Sequence, residues 1–450
     1  MAESTAIAED VGIFTRDQVE ILATRKGDPE WLRAQRLRAH DVFGETPTPT
    51  IRAEEWRYTD IGRLLKLDRF AFADDVAPVS GLAELPSALA AAIASVEAES
   101  SGSLVYLDGS LAMQETPELP AGVIFGSLEQ AAREHPELVQ RYLGTAVTPE
   151  EGKFAALNGA FWTGGLFLYV PKGVRVPHPL RSRRWLSRSD SSVFPRTLIV
   201  AEDGAEVTLV DELASPDFAS QTLSVGAAEV FADDGAGVNY VAVQRWGKGV
   251  MHLSTDRLIA GRDARITTLS VALGGELTRA DIRCSLEKPG SHVDMLGLYI
   301  AEGTQHFDHQ TLQDHRSPHA SSNLLFKGAL TDQGRSVFRG LIRVHPKAQR
   351  TDAYQTNRNL ILSDQARADS LPNLEIQADD VRCSHAATVG QLDEEELFYL
   401  LSRGIHRTEA VRLVIFGFFG EVLDQLPPAL DEVKRELVRA VEAKLAPRQP

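Results

Sequence analysis

Two cysteines in 450 residues, Cys284 and Cys383, are too few for most sulfur-based chemistry. A closed structural zinc site or an all-thiolate iron–sulfur cluster takes about four protein ligands, more than two cysteines alone supply. Nor do two cysteines so far apart make a disulfide framework, which predicts free thiols in a reducing compartment. No stretch approaches the roughly 20 apolar residues of a membrane span. The first residues, MAESTAIAEDVGIFTRDQVE, lack a basic segment followed by an apolar one, so the expected location is the cytoplasm. A net charge of −16 with no large Lys/Arg cluster argues against nucleic acid and anionic membranes as partners. The chain has no phosphate-binding loop: Gly247-Lys248-Gly249 lacks both the spacing and the magnesium-ligating hydroxyl. Gly235-Ala236-Gly237 lacks the third glycine of a dinucleotide fingerprint, and no Gly-x-Ser-x-Gly elbow occurs. These absences predict a chain that is not itself an ATPase, a dehydrogenase or a serine hydrolase.

A hydrophobic content of 43% over this length can fill a sizeable core. Residues 1–150 mix helical stretches, such as Pro29 to Phe43 and Ser127 to Leu143, with polar and alanine-rich connections, which predicts a mainly helical N-terminal domain. From 151 to 390 the texture changes to short β-branched runs punctuated by Gly and Asp, for example Arg196–Val200, Glu206–Val210 and Val238–Val243. A faint repeat runs through them: Asp203-Gly204, Asp234-Gly235, Arg262-Asp263, Pro289-Gly290 and Gln333-Gly334, most at roughly 30-residue intervals. A turn-plus-strand unit cannot bury its apolar face alone and must stack on a neighbour. The expected fold is therefore mainly β, a right-handed parallel β-helix, with an antiparallel sandwich as the alternative. Solenoid ends carry unpaired strand edges, for which the flanking helical regions are the expected caps.

Residues 391–450 turn helical. Asp393 to Glu396 load negative charge at a helix start, and a second helix, Thr408 to Gln425, is apolar around most of its circumference. A small bundle would struggle to bury such a helix, which leaves either a central core helix or a partner surface. A third helix covers about Leu430 to Leu445.

Cys383 and His385 place a soft sulfur and an imidazole two residues apart. Spacing alone favours the plainer reading, a buried small cysteine and a hydrogen-bonded strand-end histidine. His306, His309, His315 and His319, with Asp308 and Asp314 nearby, invite a metal. On a strand, however, residues three apart point to opposite faces, so these read as structural or interface histidines. Asp379-Asp380 could do acid–base work in a groove or simply form an exposed turn.

The run from Leu362 to Ile405 resembles the SufD family of iron–sulfur cluster assembly proteins. The residues that carry the resemblance are Pro372 to Ile376, Asp379 to Val381, Cys383 to His385, Thr388 to Asp393, Leu397 to Tyr399 and Ser402 to Ile405. It extends upstream through Val344 to Pro346, Asp352 to Asn357 and Asn359-Leu360. It continues more weakly at Glu55 to Thr59, Ala156 to Phe161 and Val170 to Gly173. Ala386 departs from the family's usual glycine, and its methyl group would restrict a left-handed backbone there. The resemblance implies a non-enzymatic scaffold subunit in a complex with a SufB-like scaffold and a SufC-like ABC ATPase. A transient cluster would be shared across chains, with His385 as ligand and Cys383 as auxiliary ligand or interface residue. The C-terminal helices would dock the ATPase through Phe398, Tyr399, Arg403, Phe416, Phe418 and Phe419. Reduced flavin in the complex, and a homodimer in the absence of partners, are further expectations of the resemblance that no residue here assigns. Within the family the SufB branch is the alternative; Val389 to Asp393 and the scarcity of cysteine favour SufD. Outside it, the competing reading is a β-helix carbohydrate-active enzyme using Asp379 or Asp380.

Overall fold

A computed structural model describes residues 11–73, 76–94, 100–116 and 119–445. Its body is a two-sheet β-solenoid of about eight turns. Successive strands alternate between the sheets, and each pairs in parallel with the strand one turn on. The first sheet runs from Leu166–Val170 through Arg196–Ala201, Thr222–Ala232, Val250–Ala260, Leu277–Leu286, His306–His315 and Arg335–Val344 to Arg367–Ile376. The second runs from Leu180–Trp185 through Glu206–Ala214, Gly237–Arg245, Arg265–Ala272, His292–Ala301, Ser321–Leu330 and Thr351–Ile361 to Val381–Gln391.

The repeat seen in the sequence is the corner of each turn. Gly204 and Gly235 have φ of 66° and 73°, and Asp263 adopts 53° at the equivalent place. The corners are stitched to one another: Gly204 N–H donates to Asp234 O at 2.9 Å, Gly235 N–H to Arg262 O at 2.7 Å, and Asp263 N–H to Pro289 O at 3.1 Å. Only Gly, or Asn and Asp among side-chain-bearing residues, enters this left-handed region cheaply, so the turn dictates the motif.

The helices lie on the flat sides of the solenoid rather than over its ends, which corrects the expectation of helical caps. Arg16–Lys26, Glu30–Glu45 and Lys153–Phe161 pack against the outer face of the first sheet through Phe14, Phe43, Phe161, Leu198, Val225 and Leu253. Asn158 of the last of these helices fastens it to the sheet, donating to Pro195 O (3.1 Å) and Val225 O (2.8 Å). The C-terminal helices Arg407–Leu423 and Asp431–Leu445 cover the second sheet: Ile415, Phe419, Leu437 and Val441 pack on Val243, Leu269, Leu296 and Leu325. This sheet supplies the burial surface that a small bundle could not. Position 150 is not a boundary between helix and sheet, because Gly102–Leu107, Ser110–Glu115 and Ile124–Ser127 already extend the two sheets, closing the first end with antiparallel pairs.

Strands covered by helices are buried on both faces, as in Thr222–Ala232, and read as continuous apolar runs. Past the helices the pattern becomes an alternation, as in Thr351–Ile361, where inward residues are buried and outward ones are half-buried or exposed. The interior also changes character along its length. Midway it holds a cavity of about 50 Å³ whose lining includes Asp211, Tyr240, His252 and Asp256. Near the last turns asparagines fill it: Tyr299 OH donates to Asn359 Oδ1 (2.6 Å), Asn359 Nδ2 to Asn357 Oδ1 (2.8 Å), and Ser370 Oγ to Asn357 Oδ1 (2.7 Å).

Candidate functional site at the open final coil

Val381–Gln391 and Arg367–Ile376 are the last strands of their sheets, and among the described residues nothing pairs with their outer edges. Pro372 has no N–H to give a ladder and suits such an edge. Most of Val381–Gln391 is exposed. Its register is Ala353 beside Cys383, Gln355 beside His385 and Asn357 beside Ala387. Because Ala353, Gln355 and Asn357 are buried and strand faces alternate, Cys383 and His385 both stand on the inward side of a coil that no further coil covers. Two residues apart on one face, their Cα atoms are about 7 Å apart, within reach of a common metal cluster.

The two side chains differ in environment. Cys383 is half-buried and packs with Val381 against Ile342, Val344, Ala353 and Ala378. Burial pushes its thiol up, and Asp352 nearby adds to the effect, against a backbone hydrogen bond with Ala353. His385 is exposed, and among the described residues no group hydrogen-bonds or ion-pairs with its ring. Ala386 lies in extended strand, on the face opposite His385, so the methyl group in place of the family's glycine forces no left-handed backbone.

One residue of this site escaped the sequence reading. Gln355, beside His385 in register, is 1% exposed, yet neither its amide nitrogen nor its oxygen has a hydrogen-bond partner among the described residues. It occupies space left by Gly340, where a Cβ would fall 2.4 Å from its amide nitrogen. A buried amide left unpaired costs about 1–3 kcal/mol, so its retention beside His385 marks a polar locus. The only signal in the sequence was a polar residue at an inward strand position.

Among the described residues no three His, Cys, Asp or Glu side chains converge to hold a metal ion. His306 faces outward to Thr59 Oγ1 (2.8 Å), whereas His309 faces inward and stacks 4.7 Å from Tyr299. The divergence expected of residues three apart on a strand is what the fold contains. Burial pushes His306, His309 and His315 down to about 4, holding each neutral. His319 sits in a turn with φ of 59°. Asp379 and Asp380 occupy an exposed bend, with Arg350 3.6 Å from Asp380.

At the C-terminus, Asp393 caps helix Glu394–Ser402 by accepting from the Glu395 and Glu396 N–H groups. Phe398 is 72% exposed and Tyr399 58%, with the Arg403 guanidinium 5.1 Å from the Tyr399 ring. Phe416 and Phe418 are half-buried against the sheet. Phe419 is fully buried in that core, which removes it from any docking surface. Leu401 on the same helix as Phe398, and Leu413 on the next, are exposed as well.

Comparison with known proteins agrees with this architecture. Residues 184–418 match the family model for the SUF system FeS cluster assembly SufBD core domain, and residues 14–181 match that for the SufBD protein N-terminal region. Iron–sulfur cluster assembly SufBD family proteins of Staphylococcus saprophyticus and Staphylococcus haemolyticus are each 29% identical over 433 residues, covering 93% of this chain and 92% of the relative. One from Staphylococcus aureus is 28% identical over the same span. Matched through both its N-terminal region and its solenoid core, the chain belongs to the SufBD family of iron–sulfur cluster assembly proteins.

Proposed function

We propose that this chain is a SufD-type, non-enzymatic scaffold subunit that contributes half of a cluster-assembly site to a complex with a SufB-like chain and a SufC-like ABC ATPase. The observation that carries the reading is the pairing of His385 and Cys383 on the inward face of a final coil left open at its edge. Two ligands are too few for a cluster, so the remaining donors must come from a chain seated on the open end.

Each residue has a separable task. His385, exposed and without an internal partner, is free to bind iron through a ring nitrogen. Cys383 holds its proton more tightly than an exposed thiol and becomes a ligand only as iron displaces that proton, which suits an auxiliary role. Gln355 offers an amide that a cluster sulfide could accept from. Mixed imidazole–thiolate ligation divided between two chains can be opened by moving one chain against the other, which is what a donor scaffold requires. The exposed Phe398, Tyr399 and Leu401 would receive the ATPase, whose stroke supplies that movement. The same open edge would accept a second copy of this chain when the SufB-like partner is absent.

The test is anaerobic co-expression with both partners, comparing iron and acid-labile sulfide in wild-type and His385→Ala complexes of equal stoichiometry. Loss of most of the cluster from an intact complex is expected. Unchanged iron and sulfide would reduce the chain to an architectural subunit.

A further inference from the structure

The segment around Glu55 to Thr59, which the cluster site does not use, roofs a separate cleft. Residues 46–56 run across the outer face of the first sheet and enclose about 340 Å³, within the range of small-molecule sites. The roof is fastened at three points: Thr59 Oγ1 donates to Asp308 (2.6 Å), the Arg279 guanidinium lies 3.8 Å from the Trp56 ring centroid, and Arg339 pairs with Glu54 (2.8 Å).

In a chain of net charge −16, six cationic side chains and only three carboxylates line this cleft. The floor is internally neutralised: Arg257 pairs with Glu151 and Asp281, and Arg279 with buried Asp308. Arg339 and Arg343 are different. Arg339 and Arg343 are held only by carboxylates at the rim, Glu54 (78% exposed) and Glu375 (52% exposed). Exposed pairs of this kind are weak and exchange readily for a better anion. Arg283 forks both oxygens of Asp281 (2.9 and 2.7 Å), which Arg257 also approaches, and stands 3.7 Å from Glu151, so it belongs to the neutralised floor.

The sheet register makes these three arginines converge. Arg283 lies beside Leu312, which lies beside Leu341, and Arg339 and Arg343 flank Leu341 on the same outward face. Strand rise and spacing put Arg339 and Arg343 about 13 Å apart at Cα, with Arg283 about 10 Å across the sheet from their midpoint. On their flexible stems the Arg339 and Arg343 guanidinium groups can swing from Glu54 and Glu375 to the ground between them, which Leu312 and Leu341 floor, while Arg283 stays with Asp281 at its edge. Planar guanidinium forks at the corners of an apolar floor match the oxygens of linked phosphoryl groups, which they bind bidentately.

We infer that this cleft is a binding site for a diphosphate group, with Arg339 and Arg343 as its anion ligands and Arg283 as a fixed positive group at its edge. Glu54 and Glu375 are the internal anions that such a group displaces, and the roof segment closes over it.

The test is calorimetric titration of the full chain, without the ATPase and in magnesium-free buffer, with inorganic pyrophosphate and with ADP. Both probes should bind. Equal affinities would assign recognition to the diphosphate alone, and tighter ADP binding would add a nucleoside contribution from the roof. Arg339→Gln with Arg343→Gln should weaken binding of either probe at least tenfold. Glu54→Gln with Glu375→Gln should strengthen it, an effect that general damage to the fold cannot produce. Arg262→Gln, at a distant exposed corner, should change nothing. Failure of both probes to bind the folded wild-type chain overturns the assignment, as does an equal loss in the Arg262 variant.

Discussion

At the scale of single residues, the solenoid carries opposing titrations that make its stability depend on pH from both sides. His252, His306, His309 and His315 are pushed down to about 4 by burial, against about 6.5 in an unfolded chain. The unfolded state therefore binds more protons between those values, and each histidine takes away stability as pH falls through that window, on the order of 1 kcal/mol per pH unit. Asp256, facing the internal cavity, is pushed the other way, up to about 7, chiefly by burial and only partly relieved by Arg257. Its folded form holds a proton that the unfolded form releases near pH 4, so its effect worsens as pH rises from about 4 to 7. Thermal melts from pH 4 to 9 should fall steeply below about 6, and Asp256→Asn should raise the melting temperature by several degrees at pH 8 and by little at pH 4. Equal shifts at both pH values would place Asp256 in contact with water rather than in the core.

At the scale of elements, two helices separate a docking role from a structural one. Phe398→Asp with Tyr399→Asp removes apolar surface that is mostly exposed and meets only the Arg403 guanidinium noted above; it should leave the melting temperature within about a degree and weaken capture of the SufC-like ATPase at least tenfold. Phe419→Ala should do the reverse. It should cost about 3–5 kcal/mol by opening a cavity between helix Arg407–Leu423 and the second sheet. An unchanged ATPase pull-down with the folded double variant would remove docking from helix Glu394–Ser402. The final strand invites a different measurement. Its outer edge hydrogen bonds to nothing among the described residues, so amide exchange in Val381–Gln391 should be the fastest of any solenoid strand in the isolated chain. Addition of a SufB-like partner should slow it by more than tenfold. Protection that is already high in the isolated monomer would mean that the edge is covered by something else.

At the scale of the whole molecule, the solenoid was legible because its corners are chemically demanding. Each needs a left-handed residue, and Gly204, Gly235 and Asp263 therefore recur at the period of one coil. Cys383 and His385 were legible through a local motif, and their sharing of one strand face followed from spacing. What the sequence hid is which surface an apolar helix meets. Helix Arg407–Leu423 is apolar around most of its circumference, and nothing in its own residues tells a core sheet from a partner, so Phe419 was assigned to the docking surface although it is buried. Gln355 was hidden for a related reason, since an unsatisfied amide is a property of its neighbours and not of its own position. The helices were expected over the ends because unpaired edges need cover. They lie instead on the flat faces, where there is far more apolar area to bury, and the last coil is left open.

That asymmetry of ends sets a stoichiometry. The first end finishes in short antiparallel strands, poor templates for further pairing, while the last coil exposes two full-length edges. A rod with one adhesive end cannot polymerise: the first pairing event consumes the only surface that could nucleate another. Self-pairing and pairing with a different chain then become mutually exclusive fates of one surface. If the site is shared as proposed, the ratio in which the two kinds of chain are synthesised would decide how many complete sites a cell can hold.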